Sequence, residues 1–239
     1  VLVGVVAADA SWPVAFATLA AVNVATAVAL AAWLPRERHG AARVPGGHSR
    51  SALALLRNGQ LMATNAVGFC VLFSQVAVFT YVTFHLEAPP YGLSTAALGW
   101  IFIVYLFGAA VTPLAGRWVD AYGHRAGLAL GMAVGAAGAA LTLAHPFPLI
   151  VAGLALVGTG VFIGQTTASS YIARATTSDR GLAVGLYSSS YYLGGSLGGA
   201  VPALLWSRGG WVGCVLLVVA VQVATLALGL SFWRSARAA

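Results

Sequence analysis

Apolar stretches long enough to cross a bilayer recur seven times along this chain, and the polar gaps between them alternate in arginine content. A span needs about 20 mainly apolar residues at about 1.5 Å rise each. Such stretches run near 13–34, 59–84, 95–115, 126–144, 147–172, 181–205 and 211–232. All twelve cationic side chains are Arg. Arg36, Arg38, Arg43, Arg50 and Arg57 share one gap, Arg117 and Arg125 a second, Arg174 and Arg180 a third, and Arg234 and Arg237 follow the last stretch. The intervening gaps contribute only Arg208. Juxtamembrane cations are retained on the cytoplasmic side, so the Arg-rich gaps are expected inside and the C-terminus cytoplasmic.

Composition excludes an aqueous fold. With 60% hydrophobic and 7% charged residues, too little polar surface exists to cover a water-soluble core. The net charge of +7 does not point to nucleic acid, because the Arg lie in loops facing one leaflet, where anionic headgroups attract them. Cys70 and Cys214 both fall inside apolar stretches and read as small buried hydrophobes rather than a disulfide or metal site. No cofactor is expected.

The expected fold is all-α and polytopic. Residues 1–8, VLVGVVAA, are too short to span and read as the end of a preceding helix, which suggests a chain cut from something longer. A signal peptide is the rival reading, but a basic leading segment and a clear cleavage site are lacking. Residues 35–58 form the one long polar stretch and read as an inside linker, with one amphipathic turn at Ser51–Arg57. Later connections are short, so the six stretches after the linker are expected to pack as antiparallel neighbours in one bundle. The division is therefore 1–34, linker 35–58, bundle 59–232 and tail 233–239.

Between the second and third stretches of that bundle lies Gly116-Arg117-Trp118-Val119-Asp120-Ala121-Tyr122-Gly123-His124-Arg125. A tight turn between helices benefits from glycine, which Gly116 and Gly123 supply. Asp120 can pair with Arg125 or Arg174, or cap a helix N-terminus, and such a pair would latch the inside ends together. A plain Arg-bearing loop with one stray Asp is the alternative. The segment resembles the loop signature of the major facilitator superfamily, Gly-x-Leu-x-Asp-Arg-x-Gly-Arg-Arg. Gly116, Asp120, Gly123 and Arg125 match it, whereas Trp118, Ala121 and His124 depart from it.

The resemblance extends along the chain. Phe79 to Leu86 followed by Pro89-Pro90-Tyr91-Gly92-Leu93-Ser94 looks like the seventh helix and outside loop of the drug:proton antiporter-like and sugar-efflux branch. Arg180 to Tyr187 with Tyr191 to Gly198 is similar to its eleventh helix. The resemblance implies two six-helix halves around a central cavity that opens alternately to each side. This chain would hold a stub of helix five, helices six to twelve and the linker. It would lack the N-terminal half, and alone it would not transport. A bacterial inner-membrane exporter is what the branch implies.

Glycine spacing supports close packing without the family. Gly127, Gly131 and Gly135 recur every four residues, as do Gly160 and Gly164, Gly194 and Gly198, and Gly195 and Gly199. Polar residues inside apolar stretches are expected to avoid lipid and face a cavity. They concentrate in 59–84, 147–172 and 181–205, and 95–115 adds Tyr105, in agreement with the helices that the resemblance places around the cavity. Gln75, Tyr105, Gln165, Tyr191 and Tyr192 are the candidate substrate contacts, with helix–helix hydrogen bonds as the alternative role. Asp9, Glu37, Glu87, Asp120 and Asp179 all fall in loops or at span ends, so a proton-coupling carboxylate is expected in the absent half. A neutral or amphipathic small molecule fits such a lining better than a strongly cationic one.

Two other classes fit the residues less well. Seven spans also describe seven-helix receptors and retinal proteins, but the chain has no Lys for a Schiff base. A membrane enzyme would need a nucleophile, metal site or carboxylate pair, and Gly-x-Ser-x-Gly, His-Glu-x-x-His and Cys-x-x-Cys are all absent.

Overall fold

Helices account for nearly all of the computed structural model, which describes residues 6–7, 11–33, 55–175 and 180–233. Helix α1 spans Trp12–Trp33, α2 Gly59–Glu87 and α3 Thr95–Ile101. A 3-10 turn, Phe102–Val104, joins α3 to α4, Tyr105–Tyr122. Then come α5 His124–Leu141, α6 Phe147–Ala175, α7 Arg180–Ala200 and α8 Ala203–Phe232. No strand occurs among the described residues. The expected spans fall on helical segments, although 95–115 is divided between α3 and α4 and 181–205 runs past the end of α7 into α8, and five stretches are long and apolar enough to cross a membrane: Trp12–Trp33, Gly59–Glu87, Thr95–Tyr122, Phe147–Ala175 and Ala203–Phe232. The other two are shorter or more polar. Helix α5 opens on His124-Arg125 and has 18 residues, and α7 carries an unbroken hydroxyl run from Tyr187 to Tyr192. Most of the expected linker, including four of its five Arg, lies outside the described residues.

Packing divides the chain into two units. One contains α1 and the segment Leu86–Ile103. Helix α1 is apolar all round, with Trp12, Phe16, Val24, Val28 and Trp33 exposed. Its polar side chains are satisfied within the helix: Thr18, Asn23 and Thr26 each donate to the carbonyl four residues back. That is how a helix in hydrocarbon leaves no donor unpaired. In the same unit Ser94 caps α3, its side-chain oxygen accepting from the Ala97 N–H at 3.3 Å.

The second unit holds α2 up to His85 and everything from Val104 onward, and its packing rests on glycine. At Gly160 an added Cβ would stand 2.5 Å from the Gly131 carbonyl oxygen and 2.5 Å from the Gly135 nitrogen. At Gly138 it would stand 2.6 Å from the Gly153 carbonyl oxygen. Helices α5 and α6 therefore touch backbone to backbone, as close-spaced small residues permit in a bilayer. Helix α7 meets α2 in the same way, Gly194 against the Phe69 backbone and Gly198 against the Phe73 carbonyl.

Long-range hydrogen bonds from aromatic residues fasten the same unit. Tyr81 Oη donates to the Gly199 carbonyl at 2.9 Å, and Trp211 Nε1 to the Thr142 carbonyl at 3.1 Å. Trp233 Nε1, buried, donates to Thr64 Oγ1 at 2.9 Å. Trp211 also stacks on His85, with ring centroids 5.6 Å apart. Helix α8 kinks at Gly210, whose φ of 55° lies in the left-handed region.

Candidate functional site

Two groups of residues in the larger unit carry chemistry: a polar and aromatic wall on α2, α4, α6 and α7, and a cluster where the loop segment meets the ends of α6 and α8.

The wall starts from Tyr105, the first residue of α4. Its ring stacks on Phe79 of α2 at 4.3 Å and meets Phe162 of α6 edge-on at 6.3 Å. The Gln75 side chain hydrogen-bonds the Tyr105 hydroxyl, and Tyr191 of α7 lies near enough to act on it electrostatically. Gln75, Tyr105 and Tyr191 are thus brought together. Tyr191 stacks on Tyr187 at 5.9 Å and meets Tyr192 edge-on at 5.7 Å, while Tyr192 itself is 70% exposed. Tyr187 is buried against Gly68, where any side chain would collide with its ring.

Phe162 also borders the groove that holds Gln165. Gln165 lines this open groove of about 390 Å³ with Ala109 and Thr112 of α4 and with Phe162, Thr166 and Ser169 of α6. Drug-sized ligands occupy clefts of about 300–1,000 Å³. The lining offers an amide, hydroxyls and an aromatic face, with no charged group. Thr112 and Ser169 already donate to carbonyls within their own helices, whereas the Gln165 amide brings two donors and an acceptor to the groove.

The other polar residues of the apolar stretches divide between the bundle interior and its surface, with Ser189 and Ser196 exposed. Asn65, Ser74 and Thr167 are buried, and Thr167 donates to the Ile163 carbonyl. Sequence reasoning did not single out Gln222 of α8, which is 2% exposed with its amide packed against Gly135. A lone Gln in an apolar helix, opposite a glycine of a neighbouring helix, is the signal that could have found it.

In the second cluster, Asp120 Oδ1 accepts from the Arg174 guanidinium at 2.7 Å, joining the end of α4 to the end of α6. Of the two partners open to Asp120 in the sequence, Arg174 is the one engaged. Arg125 turns instead to the Leu230 carbonyl near the end of α8. Gly123 joins α4 to α5 with φ 86°, a conformation that glycine adopts without a Cβ clash. Gly116 has no part in that turn: it lies inside α4, in open space. The helix continues through it because Gly123 alone makes the reversal.

His124 sits between the two ties. Its ring meets Tyr171 edge-on at 5.3 Å and Trp233 edge-on at 6.4 Å, and these two rings stack on each other at 4.6 Å. Burial first, and the Arg174 guanidinium second, hold its basicity below the usual histidine value, with Asp120 opposing.

Helices packed through glycine, five of them long and apolar enough to cross a membrane, describe a multi-pass membrane protein. The chain belongs to the major facilitator superfamily, whose sequence pattern matches residues 86–239. It is similar to the uncharacterized MFS-type transporter YybF of Bacillus subtilis (strain 168), at 32% identity over 218 residues, covering 90% of this chain and 54% of that protein. It is also similar to the inner membrane transport protein YnfM of Escherichia coli (strain K12), at 29% identity over 225 residues, covering 90% of this chain and 53% of that protein. An uncharacterized transporter of Buchnera aphidicola subsp. Schizaphis graminum (strain Sg) is 27% identical over 175 residues, covering 73% of this chain and 42% of that protein. The chain spans about half the length of the curated relatives it matches. The family and these names are those of transporters, not enzymes.

Proposed function

We propose that the chain is the C-terminal part of a secondary active transporter that exports a neutral or amphipathic small molecule across a bacterial inner membrane by alternating access. The observation that carries the reading is the uncharged groove around Gln165, joined through Phe162 to the Gln75–Tyr105 pair and Tyr191. Amide and phenol groups on an apolar wall bind a solute through a few directed hydrogen bonds and broad contact, without demanding a counter-charge. Tyr192, largely exposed, lies where a second wall would cover it. On this reading α5 and α7 also cross the membrane, giving seven spans, and the arginine distribution supports a cytoplasmic position for the Arg-rich connections and the C-terminus. The Asp120–Arg174 pair then acts as an inside latch between α4 and α6, with Gly123 making its turn. Proton coupling is assigned to the other half, because the described acidic residues, Glu87 and Asp120, both lie at helix ends.

The test uses the intact natural protein in everted membrane vesicles with a neutral amphipathic fluorescent solute. An imposed inside-acid gradient is expected to drive accumulation, a protonophore to abolish it, and Gln165→Ala to reduce it several-fold. Accumulation indifferent to the protonophore would remove the proton coupling, and accumulation indifferent to both Gln165→Ala and Tyr105→Phe would remove the site.

A further inference from the structure

His124 is half-buried, yet its Nε2 is sealed from solvent and meets no hydrogen-bond partner among the described residues. An unpaired buried polar atom costs about 1–3 kcal/mol, so it needs a reason to persist. The atom lies in a junction of four helices. Asp120 ties the end of α4 to Arg174 of α6, Arg125 ties the start of α5 to the Leu230 carbonyl of α8, and the Tyr171–Trp233 stack lies against the imidazole. Trp233 is itself held by its bond to Thr64 of α2.

We infer that His124 is a proton-operated release for this junction: the neutral imidazole fits between the two ties, and the imidazolium breaks them. A proton on His124 places a full charge on a ring with a sealed, unanswered nitrogen, at the positive N-terminal end of α5. Among the described residues, the ionisable groups facing it are Asp120 from α4 and Tyr171 and Arg174 from α6, with the uncharged Trp233 completing the cage and the adjacent Arg125 turned to Leu230. Of these, Asp120 is the one that favours the cation, and its carboxylate is already engaged by Arg174. The charged ring therefore either takes Asp120 from Arg174 or leaves the aromatic cage, and each route opens a tie. Because the closed junction lowers the basicity of His124, the closed form is favoured fully above the ordinary histidine value of 6.5 and loses that advantage as pH falls below it. Only the sidedness of the sensed proton, cytoplasmic, rests on the transporter reading.

The intact protein, labelled with 15N-tryptophan, provides the test. The Trp233 indole resonance, assigned by its loss in Trp233→Phe, is expected to shift between about pH 7.5 and about pH 5 with a midpoint below 6.5. The shift should vanish in both His124→Gln and His124→Phe, the second keeping an aromatic ring in the cage. Spin labels at Ala121→Cys and Ala175→Cys should gain a longer distance component over the same range, again only while His124 is present. A Trp233 signal that does not titrate, a shift that survives both substitutions, or a midpoint above 6.5 with the aromatic faces holding the cation would each overturn the inference. Neither readout requires transport, so failure to move a solute would leave this result standing and count only against the proposed function.

Discussion

At Gly160 and Gly116 the same residue type meets opposite surroundings, and substitution should separate them. A methyl group at Gly160 runs into the backbone of Gly131 and Gly135, which cannot yield as a side-chain tip can. Overpacking of this kind costs about 1–3 kcal/mol, and Gly160→Ala is expected to lower the melting temperature of the detergent-solubilised protein clearly. Gly116→Ala meets open space inside a helix and should leave it unchanged or slightly raised. Equal melting temperatures for the two variants would contradict the packing described. Asp120→Asn in the intact protein should reduce transport while expression and insertion stay near normal; unchanged transport would leave Asp120 as an ordinary exposed residue of α4. The exposed ion pair contributes no more than about 1 kcal/mol to stability, so loss of folding is not the expected outcome. At this scale the spacing of glycines was legible, because four-residue recurrence aligns small side chains along one helical face. Trp233 was not. A tryptophan at the end of an apolar helix reads as an interfacial residue, and only Thr64, 169 positions away, makes it part of the core.

Helix α8 is the element whose two ends are most differently held. Near its start Gly210 breaks the helical course, and Trp211 just beyond reaches the Thr142 carbonyl. At its finish, Arg125 supplies a guanidinium to the Leu230 carbonyl, one of the terminal acceptors that a helix leaves open. Arg125→Gln is therefore expected to speed amide hydrogen exchange over the last turn of α8, including the Trp233 N–H that donates to Gly229, while exchange around Cys214 stays slow. Uniform protection along the helix would show that the Arg125 tie is dispensable. Helix limits differed from the apolar stretches for a physical reason: hydropathy marks depth in a bilayer, whereas a helix continues wherever its backbone bonds can be made. Thus α4 runs on to Tyr122, past the expected limit of 115, through the amphipathic first half of the loop segment. The break expected between 205 and 211 falls at Gly210, where the backbone leaves helical geometry, and a further turn at Val201-Pro202 ends α7 short of the expected 205, since proline is tolerated at the start of a helix but not in its interior.

For the whole molecule, the assignment of inside and outside rests on arginine placement, and accessibility can check it. In a background lacking Cys70 and Cys214, a cysteine replacing exposed Ala121 and one replacing exposed Ser207 should react with a membrane-impermeant reagent from opposite faces. Reaction from the same face would invert or reduce the span count. The family and the helical architecture could be read in the chain because both depend on local composition and one loop signature. The meeting of Gln75, Tyr105 and Tyr191 could not, since it depends on the rotation of three helices about their own axes. That rotation is fixed by glycine contacts whose partners the spacing does not name.

The backbone contact between α5 and α6 also sets how this protein can change over generations. Where two helices meet through carbonyl oxygens and bare α-carbons, a larger side chain on one has no cavity on the other that could grow to receive it. Exhaustive substitution should therefore show a ladder of rungs at Gly131, Gly138, Gly153 and Gly160 that admit almost nothing, beside outward neighbours such as Leu130 and Leu156 that accept most apolar residues. Rescue of a rung by a second change on the opposite helix should be rare, which makes the pair a fixed spine around which the groove-lining positions are free to diversify.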